Sequence, residues 1–284
     1  MIAAPGPTAL GRFEDVIPTF APITPGRERW TSGSKLSRHR HEQGYICVVL
    51  SGGFEEAGDC GRRIVRAGDV NCHGPFDAHR DRFLVAGAET INFSLPDWMD
   101  PPVAFGRVHD PDLIARTAEC DYDTARQLLL SMVEPVRYPA HDWPDELAID
   151  IRNQPDLCLT AWAQRRGMAP ASVSRGFHRV YEVSPSAFRA QMRARRAWRS
   201  LVASNTPLAA VALETGFADQ AHMTRTLTAV TGRRPAQWRR MGQVNSRPAT
   251  AAGAGLGHGQ TSRAFPDYRS WCPDGAPCCH SVCS

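Results

Sequence analysis

Lysine is nearly absent from these 284 residues: of 33 basic side chains, Lys35 is the only lysine. Long apolar runs are missing as well. A helix that crosses a bilayer needs about 20 consecutive apolar residues, and no such stretch occurs, so no membrane partner is expected. Residues 1–10 lack the basic start and apolar core of a secretory signal, and the expected location is cytoplasmic. Paired cysteine spacing is the third absence. Cys47, Cys60, Cys72, Cys120 and Cys158 are scattered, as reduced core thiols of a cytosolic protein would be. The remaining four, Cys272, Cys278, Cys279 and Cys283, crowd the end of the chain together with His280.

What charge there is sits unevenly. Residues 156–242 hold 14 arginines against four acidic residues, a balance of +10, whereas residues 1–155 hold 16 basic against 23 acidic residues, a balance of −7. A general preference for arginine explains Arg over Lys. It does not explain why the excess lies in one segment, and a basic domain joined to an acidic one predicts that only the former meets phosphate.

That basic segment is written twice. Leu159, Trp162, Ala163, Gly167, Val173, Arg175, Phe177 and Val180 are answered by Leu208, Val211, Ala212, Gly216, Met223, Arg225, Leu227 and Val230. Each half reads as a short helix, a glycine turn and a second helix with apolar residues at i, i+4 and i+7, the layout of a helix-turn-helix unit. Opposite the apolar stripe of the two second helices stand Ala171, Ser174, Arg175 and His178, and Ala221, Thr224, Arg225 and Thr228. Arg suits guanine O6 and N7 together, so Arg175 and Arg225 are the expected base-reading residues. Arg179, Arg189, Arg193, Arg195, Arg199 and Arg239 are expected phosphate contacts. Pro170 and Asp219 fix the starts of the two second helices. Residues 185–204 form one longer helix between the units, roughly 30 Å long at ~1.5 Å per residue, close to the ~34 Å between successive major-groove faces.

The remainder divides by period. Residues 1–30 are rich in Pro and Gly and are expected to be flexible. Residues 31–100 alternate short strands with turns. One strand over residues 45–50 is closed by Gly52 and Gly53, turns fall at residues 59–61 and 67–69, and residues 62–66 and 90–95 alternate. This pattern predicts a small β-barrel or sandwich. Residues 101–154 turn helical, with helices over 112–120, 124–133 (capped by Asp123) and 144–152. Leu128, Leu129 and Met132 form an apolar stripe that serves either a dimer contact or packing on the chain's own barrel. Residues 244–284 lose periodicity and read as a disordered tail.

Residues 156–242 resemble the AraC/XylS-type DNA-binding domain. The resemblance rests on Gly216, Phe217, Asp219, Gln220, His222, Met223 and Arg225, then Gly232, Pro235, Trp238 and Arg239, with Ser174, Arg175, Phe177, Ser184, Pro185, Phe188 and Arg189 matching the first unit. Ala169 departs from it, standing where the family has a Ser cap. The resemblance implies a transcription regulator that binds a double-stranded operator, usually as a homodimer, and it admits RNA polymerase as a partner. DNA-binding residues so implied are Ser174, Arg175, His178, Arg179, Arg189, Gln220, Ala221, Thr224, Arg225 and Arg239. No catalytic residue is expected.

Gly33, His39, His41, Tyr45 and Gly52 are similar in spacing to the first cupin motif, and Gly68, Asp69, Gly74, Pro75 and His79 more loosely to the second. Tyr45 stands where metal-bearing cupins place a Glu, so neither metal nor other cofactor is expected. His39, His41, Tyr45 and His79 are expected instead to line a pocket for a small-molecule effector, or else to satisfy one another at the barrel mouth. The expected architecture is α+β: a cupin-like β-barrel, a helical linker and an all-α domain (residues 155–243) with two helix-turn-helix units. Two enzyme readings compete with it. One is a metal-dependent cupin enzyme, which lacks its carboxylate. The other is a DNA-repair-type protein using the Cys272 to Cys283 cluster, which lies in a Gly/Pro-rich tail on the wrong side of the DNA domain.

Overall fold

The computed structural model describes residues 20–96, 99–154 and 156–245. Its N-terminal half is one antiparallel sheet of β1 (Gly26–Trp30), β2 (Lys35–Arg40), β3 (Tyr45–Gly58), β4 (Gly61–Arg66), β5 (Asp69–His73), β6 (Ala78–Ser94), β7 (Phe105–Arg107) and β8 (Glu134–Pro135). The stretch expected to be flexible thus contributes an edge strand, β1, which pairs with β6 from Gly26 opposite Asn92 to Trp30 opposite Ala88.

Two long strands organise this sheet, and the sequence conceals both. β3 runs 14 residues and β6 runs 17. Gly52 and Gly53, expected as a turn, are instead a bend within β3, marked by register shifts against β6. Gly52 and Gly87 both have φ of +67°, and a Cβ on either would collide with a backbone carbonyl of the neighbouring strand. Only glycine permits so close an approach at positive φ. The bend folds the sheet over itself. The first part of β3 pairs with β5 and the last part of β6, alongside β1; the second part pairs with β4 and the first part of β6, alongside β2. The result is consistent with a cupin-like architecture. Among the described residues, however, the hydrogen-bonded order β1-β6-β3-β5-β7-β8 does not close into a ring.

Two helices cover the outer face of the first layer. α1 (Pro111–Cys120) begins at Asp110, whose side chain accepts from Leu113 N at 2.8 Å. α2 (Tyr122–Met132) is capped by Asp121 rather than Asp123, because the Asp121 carboxylate accepts from the backbone N–H groups of Asp123 and Thr124. Leu129 is fully buried with Ile46, Val48, Ile91 and Phe93 of the sheet, and Leu128 and Met132 pack beside it. The apolar stripe considered for a dimer contact is therefore spent on the chain's own sheet.

The helical half comprises α3 (Trp143–Asn153), α4 (Leu159–Arg165), α5 (Pro170–Tyr181), α6 (Pro185–Ala203), α7 (Leu208–Glu214), α8 (Gln220–Thr231) and α9 (Pro235–Asn245). α3 belongs to this half rather than to a linker. Its Leu147, Ala148 and Ile151 share a core with Trp162, Phe177, Tyr181 and Phe188, and the Trp143 ring lies so close over Gly176 that a Cβ there would clash. A second core joins Trp198 and Leu201 of α6 to Val211, Met223, Leu227, Val230 and Trp238. Each fully buried side chain of this size contributes roughly 1.5–3 kcal/mol by leaving water.

The two halves interlock. Phe76, in the turn between β5 and β6, is fully buried in the second helical core. Its ring lies edge-on to Trp198 at 5.1 Å and to Trp238 at 5.5 Å. Arg195 of α6 pairs with Asp77 of the same turn and with Asp59 at 3.2 Å. Arg199 pairs with Asp100 at 2.7 Å. Arg38 donates its backbone N–H to Glu182 at 2.8 Å, and its guanidinium pairs with Asp59. Among the described non-glycine residues, only Phe76 (φ +63°) and Glu182 (φ +53°) hold a left-handed backbone. Both stand at this interface, Phe76 packed into the second helix-turn-helix unit and Glu182 at the end of α5 in the first.

Candidate nucleic-acid interface and sheet pocket

The first recognition helix, α5, starts at Pro170 behind Ala169, which makes no side-chain cap. The second, α8, starts behind Asp219, whose carboxylate accepts from His222 N at 2.6 Å. The preceding turns pass through Gly167 (φ +64°) and Gly216 (φ +82°), a backbone conformation that costs other residues roughly 1–2 kcal/mol. Val173 and Phe177, and Met223, Leu227 and Val230, anchor the helices in their cores. The helical period then turns the remaining side chains outward. Ser174, Arg175, His178 and Arg179 of α5 are exposed, as are Gln220, Ala221 and Arg225 of α8, with Thr224 half-buried. Arg175 and Arg225 thus stand at equivalent exposed places on the two units.

The other arginines divide differently than expected. Arg189 donates to the carbonyl of Leu157, and Arg239 donates to that of Thr206. Leu157 stands two residues before α4 and Thr206 two residues before α7, so the same staple recurs in each unit. Arg195 is buried and Arg199 half-buried, both paired to carboxylates of the sheet half as above. In this arrangement the sheet's acidic side chains, not phosphates, hold these two guanidinium groups. Arg193 is half-buried too, and burial lowers its pKa to about 10.

The pocket lies between the two sheet layers, with a volume of about 430 Å³. All four histidine and tyrosine residues expected there are present. His39 and His41 come from the end of β2 and just beyond it, Tyr45 from β3 and His79 from β6. His39 lies 4.4 Å from His79 and 5.0 Å from His41, ring centre to ring centre. The Tyr45 hydroxyl lies 3.1 Å from His79 Nε2. Three further members were not expected: His73, whose ring is 4.2 Å from His79; Glu56, 3.1 Å from His73 Nε2; and Asp81. Glu56 was hidden because the strand was expected to end at Gly52. Its signal was its place in a β-branched and aromatic strand that in fact continues.

Electrostatics at the cluster follow from burial. Burial, then the neighbouring His39 and His73, lowers His41 to about 3. Burial likewise lowers His39 and, more strongly, His79. These three rings are neutral lone-pair donors at neutral pH. Burial opposes ionisation of Glu56, but Arg63 at 3.0 Å, His73 and Asn71 hold it at about 2. Burial and the charge of Glu56 raise Asp81 well above the usual carboxylate range. Ring nitrogens of His39, His41 and His79 lie within 4.8 Å of one another, as do donor atoms of Glu56, His73 and His79. Such clusters can hold a small cation. Elsewhere in the lining Trp30 stacks on Phe83 at 4.7 Å, and Phe54 lies 5.3 Å from Phe83.

The Cys272 to Cys283 cluster and the tail from residue 246 onward lie outside the described residues. No helix among the described residues is long and apolar enough to cross a membrane.

Comparison with known proteins bears on the helical half. A family model described as a helix-turn-helix domain matches residues 162–241, which supports the resemblance drawn from the repeated motif. No curated protein matches. Among solved structures, the C-terminal domain of AraT, a response regulator from Geobacillus stearothermophilus, is similar at 21% identity, with 34% of this chain and 84% of that chain covered and a TM-score of 0.33. A probable AraC family transcriptional regulator from Rhodopseudomonas palustris is similar at 23% identity, covering 32% of this chain and 89% of that one at a TM-score of 0.30. ToxT from Vibrio cholerae is similar over more of the chain, 76% of this one and 96% of that one, at 7% identity and a TM-score of 0.36.

Proposed function

We propose, from the helix-turn-helix domain of residues 162–241, that this chain is a sequence-specific DNA-binding transcription regulator of AraC/XylS type, with a small-molecule effector received by the sheet pocket. The observation that carries the reading is the duplication: two units, each with an anchored second helix and an exposed arginine at the equivalent place. Arg175 and Arg225 read base edges, while Ser174, His178, Arg179, Gln220, Ala221 and Thr224 surround them on the same faces. The same reading includes a homodimer on paired half-sites, RNA polymerase as a partner, a cytoplasmic location and no catalytic role.

The interlock between the halves explains how a pocket could matter to DNA. His73 and His79 stand at the two ends of the turn that carries Phe76 and Asp77, and Phe76 N–H donates to the His41 carbonyl at 2.9 Å. Three pocket residues are thus tied to the turn inserted beside α6 and α9. An occupant that moves these rings shifts the second unit through the chain itself, and the coupling is reciprocal by linkage.

The test is selection of bound genomic fragments with the full chain, followed by mobility shifts across a salt series. Affinity should fall steeply with salt, because guanidinium groups displace counterions. Arg175→Ala and Arg225→Ala should each cost ~1–3 kcal/mol and relax specificity at one base step. Equal weakening on every sequence would demote both to phosphate contacts and overturn the assignment.

A further inference from the structure

Among the described residues, the pocket lining contains Glu28, Glu56 and Asp81, four histidines, and neither Lys nor Arg. Glu56 already has Arg63 as its counter-charge. Asp81 has no Arg or Lys in ion-pair contact among the described residues: it is 7% exposed, its Oδ2 lies 3.7 Å from His79 Nε2, and its Oδ1 has no hydrogen-bond partner. His79, 1% exposed, likewise has an unpartnered Nδ1. These are unmet polar groups in a site built to face something polar.

The tautomers say what that something is. His39 Nδ1 lies 2.9 Å from the Ser37 carbonyl, and His41 Nδ1 lies 2.8 Å from the Ala21 carbonyl. A carbonyl only accepts, so each Nδ1 carries the proton and each Nε2 keeps its lone pair. With one ring nitrogen each of His39, His41 and His79 inside 4.8 Å of the others, some point lies no more than about 2.8 Å from all three. That is the length of a hydrogen bond from an ammonium nitrogen. A carboxylate at the same point would face the lone pairs of His39 and His41 and the acidic side chains, with no Lys or Arg among the described lining residues. The same lining offers the aromatic side chains of Trp30, Phe54 and Phe83, and a volume of about 430 Å³ admits a drug-sized molecule.

We propose that the pocket binds a protonated primary amine carried on an aromatic body. The ammonium head sits among His39, His41 and His79; its charge favours the ionised form of Asp81, whose Oδ2 lies 3.7 Å from His79 Nε2, so Asp81 releases its proton to solvent as the cation enters and becomes its counter-charge, and the ring lies against Trp30, Phe54 and Phe83. This rests on the pocket being the effector site of the proposed regulator.

Calorimetric titration of the full chain tests it with four probes: 2-phenylethylammonium, phenylacetate, 2-phenylethanol and zinc chloride. The amine should bind at least tenfold more tightly than the acid or the alcohol, which share its ring. Asp81→Asn should weaken the amine at least tenfold without strengthening the alcohol. His39→Gln, should Asp81→Asn not fold, is expected to weaken it equally. An acid that binds as tightly as the amine, no binding of the amine at millimolar concentration, or unchanged amine affinity in both variants overturns the proposal. So does zinc that saturates the cluster and excludes the amine, which would assign the cluster to a metal ion. DNA binding of the same preparation is scored separately by mobility shift. Amine failure with DNA binding retained removes only this inference, whereas DNA failure with amine binding retained removes only the regulator reading.

Discussion

Truncating Phe76 should damage a domain to which it does not belong in sequence. The ring is fully buried and edge-on to two tryptophans of the helical half. Removal of a buried Phe side chain to Ala costs about 3–5 kcal/mol, and edge-to-face partners add ~0.5–1.5 kcal/mol beyond area, so Phe76→Ala belongs at the upper end of that range. The backbone adds a sharper test. At φ +63° alanine is penalised as phenylalanine is, by roughly 1–2 kcal/mol, and recovers nothing. Glycine recovers that penalty but loses about 0.5–1 kcal/mol of it through its freer unfolded chain. Phe76→Gly should therefore be less harmful than Phe76→Ala by roughly 0.5–1 kcal/mol, although it removes one more carbon. Urea unfolding followed by tryptophan fluorescence measures both. Hydrogen exchange should then speed up over residues 194–202 and 223–241 before it does over residues 159–181. If both variants lie within ~1 kcal/mol of the parent, or if alanine is the milder of the two, the insertion does not contribute what its burial implies.

Three further outcomes are expected. Arg189→Met and Arg239→Met each remove a staple to a carbonyl and should cost ~1–3 kcal/mol of stability while leaving the salt slope of DNA binding unchanged; a slope reduced by about one per variant would make them phosphate contacts after all. Leu129→Asp places a charge in the core shared by α2 and the sheet, so the chain should lose more than ~3 kcal/mol or fail to fold; a stable, folded protein carrying it, whether dimer or monomer, would contradict this packing. His39, His41 and His79 have folded-state pKa values depressed from 6.5, His41 to about 3, so the unfolded chain binds more protons than the folded one as pH falls. The contribution of His41 is fully present above about pH 6.5 and erodes as pH falls towards about 3, by ~1.4 kcal/mol per pH unit; His39 and His79 act in the same direction, while the raised Asp81 opposes them, so urea midpoints at pH 7.5, 6.5 and 5.5 should fall in Asp81→Asn, and a constant midpoint there would refute it.

Local rules were enough for the helical half. Apolar residues at i, i+4 and i+7, Asp219 as a cap, and Gly167 and Gly216 at left-handed turns fix two helix-turn-helix units, because each signal acts within a few residues. The outward faces of Arg175 and Arg225 follow from the same period. His39, His41, Tyr45 and His79 could also be gathered from motif spacing before any coordinates. Only the tertiary structure decided the rest. Gly52 and Gly53 are a turn by local preference and a bend in fact, since a second strand packs against them, and misreading them hid Glu56 from the pocket. The stripe of Leu128, Leu129 and Met132 states that a face is apolar and not which surface covers it; the chain's own sheet does. Arg195 and Arg199 carry charges that suit a phosphate as well as a carboxylate, and the acidic residues that claim them, Asp59, Asp77 and Asp100, lie 99 to 136 positions away. Phe76 shows the limit most plainly: in sequence it is one aromatic residue in a turn, and only the approach of α6 and α9 makes it part of a core.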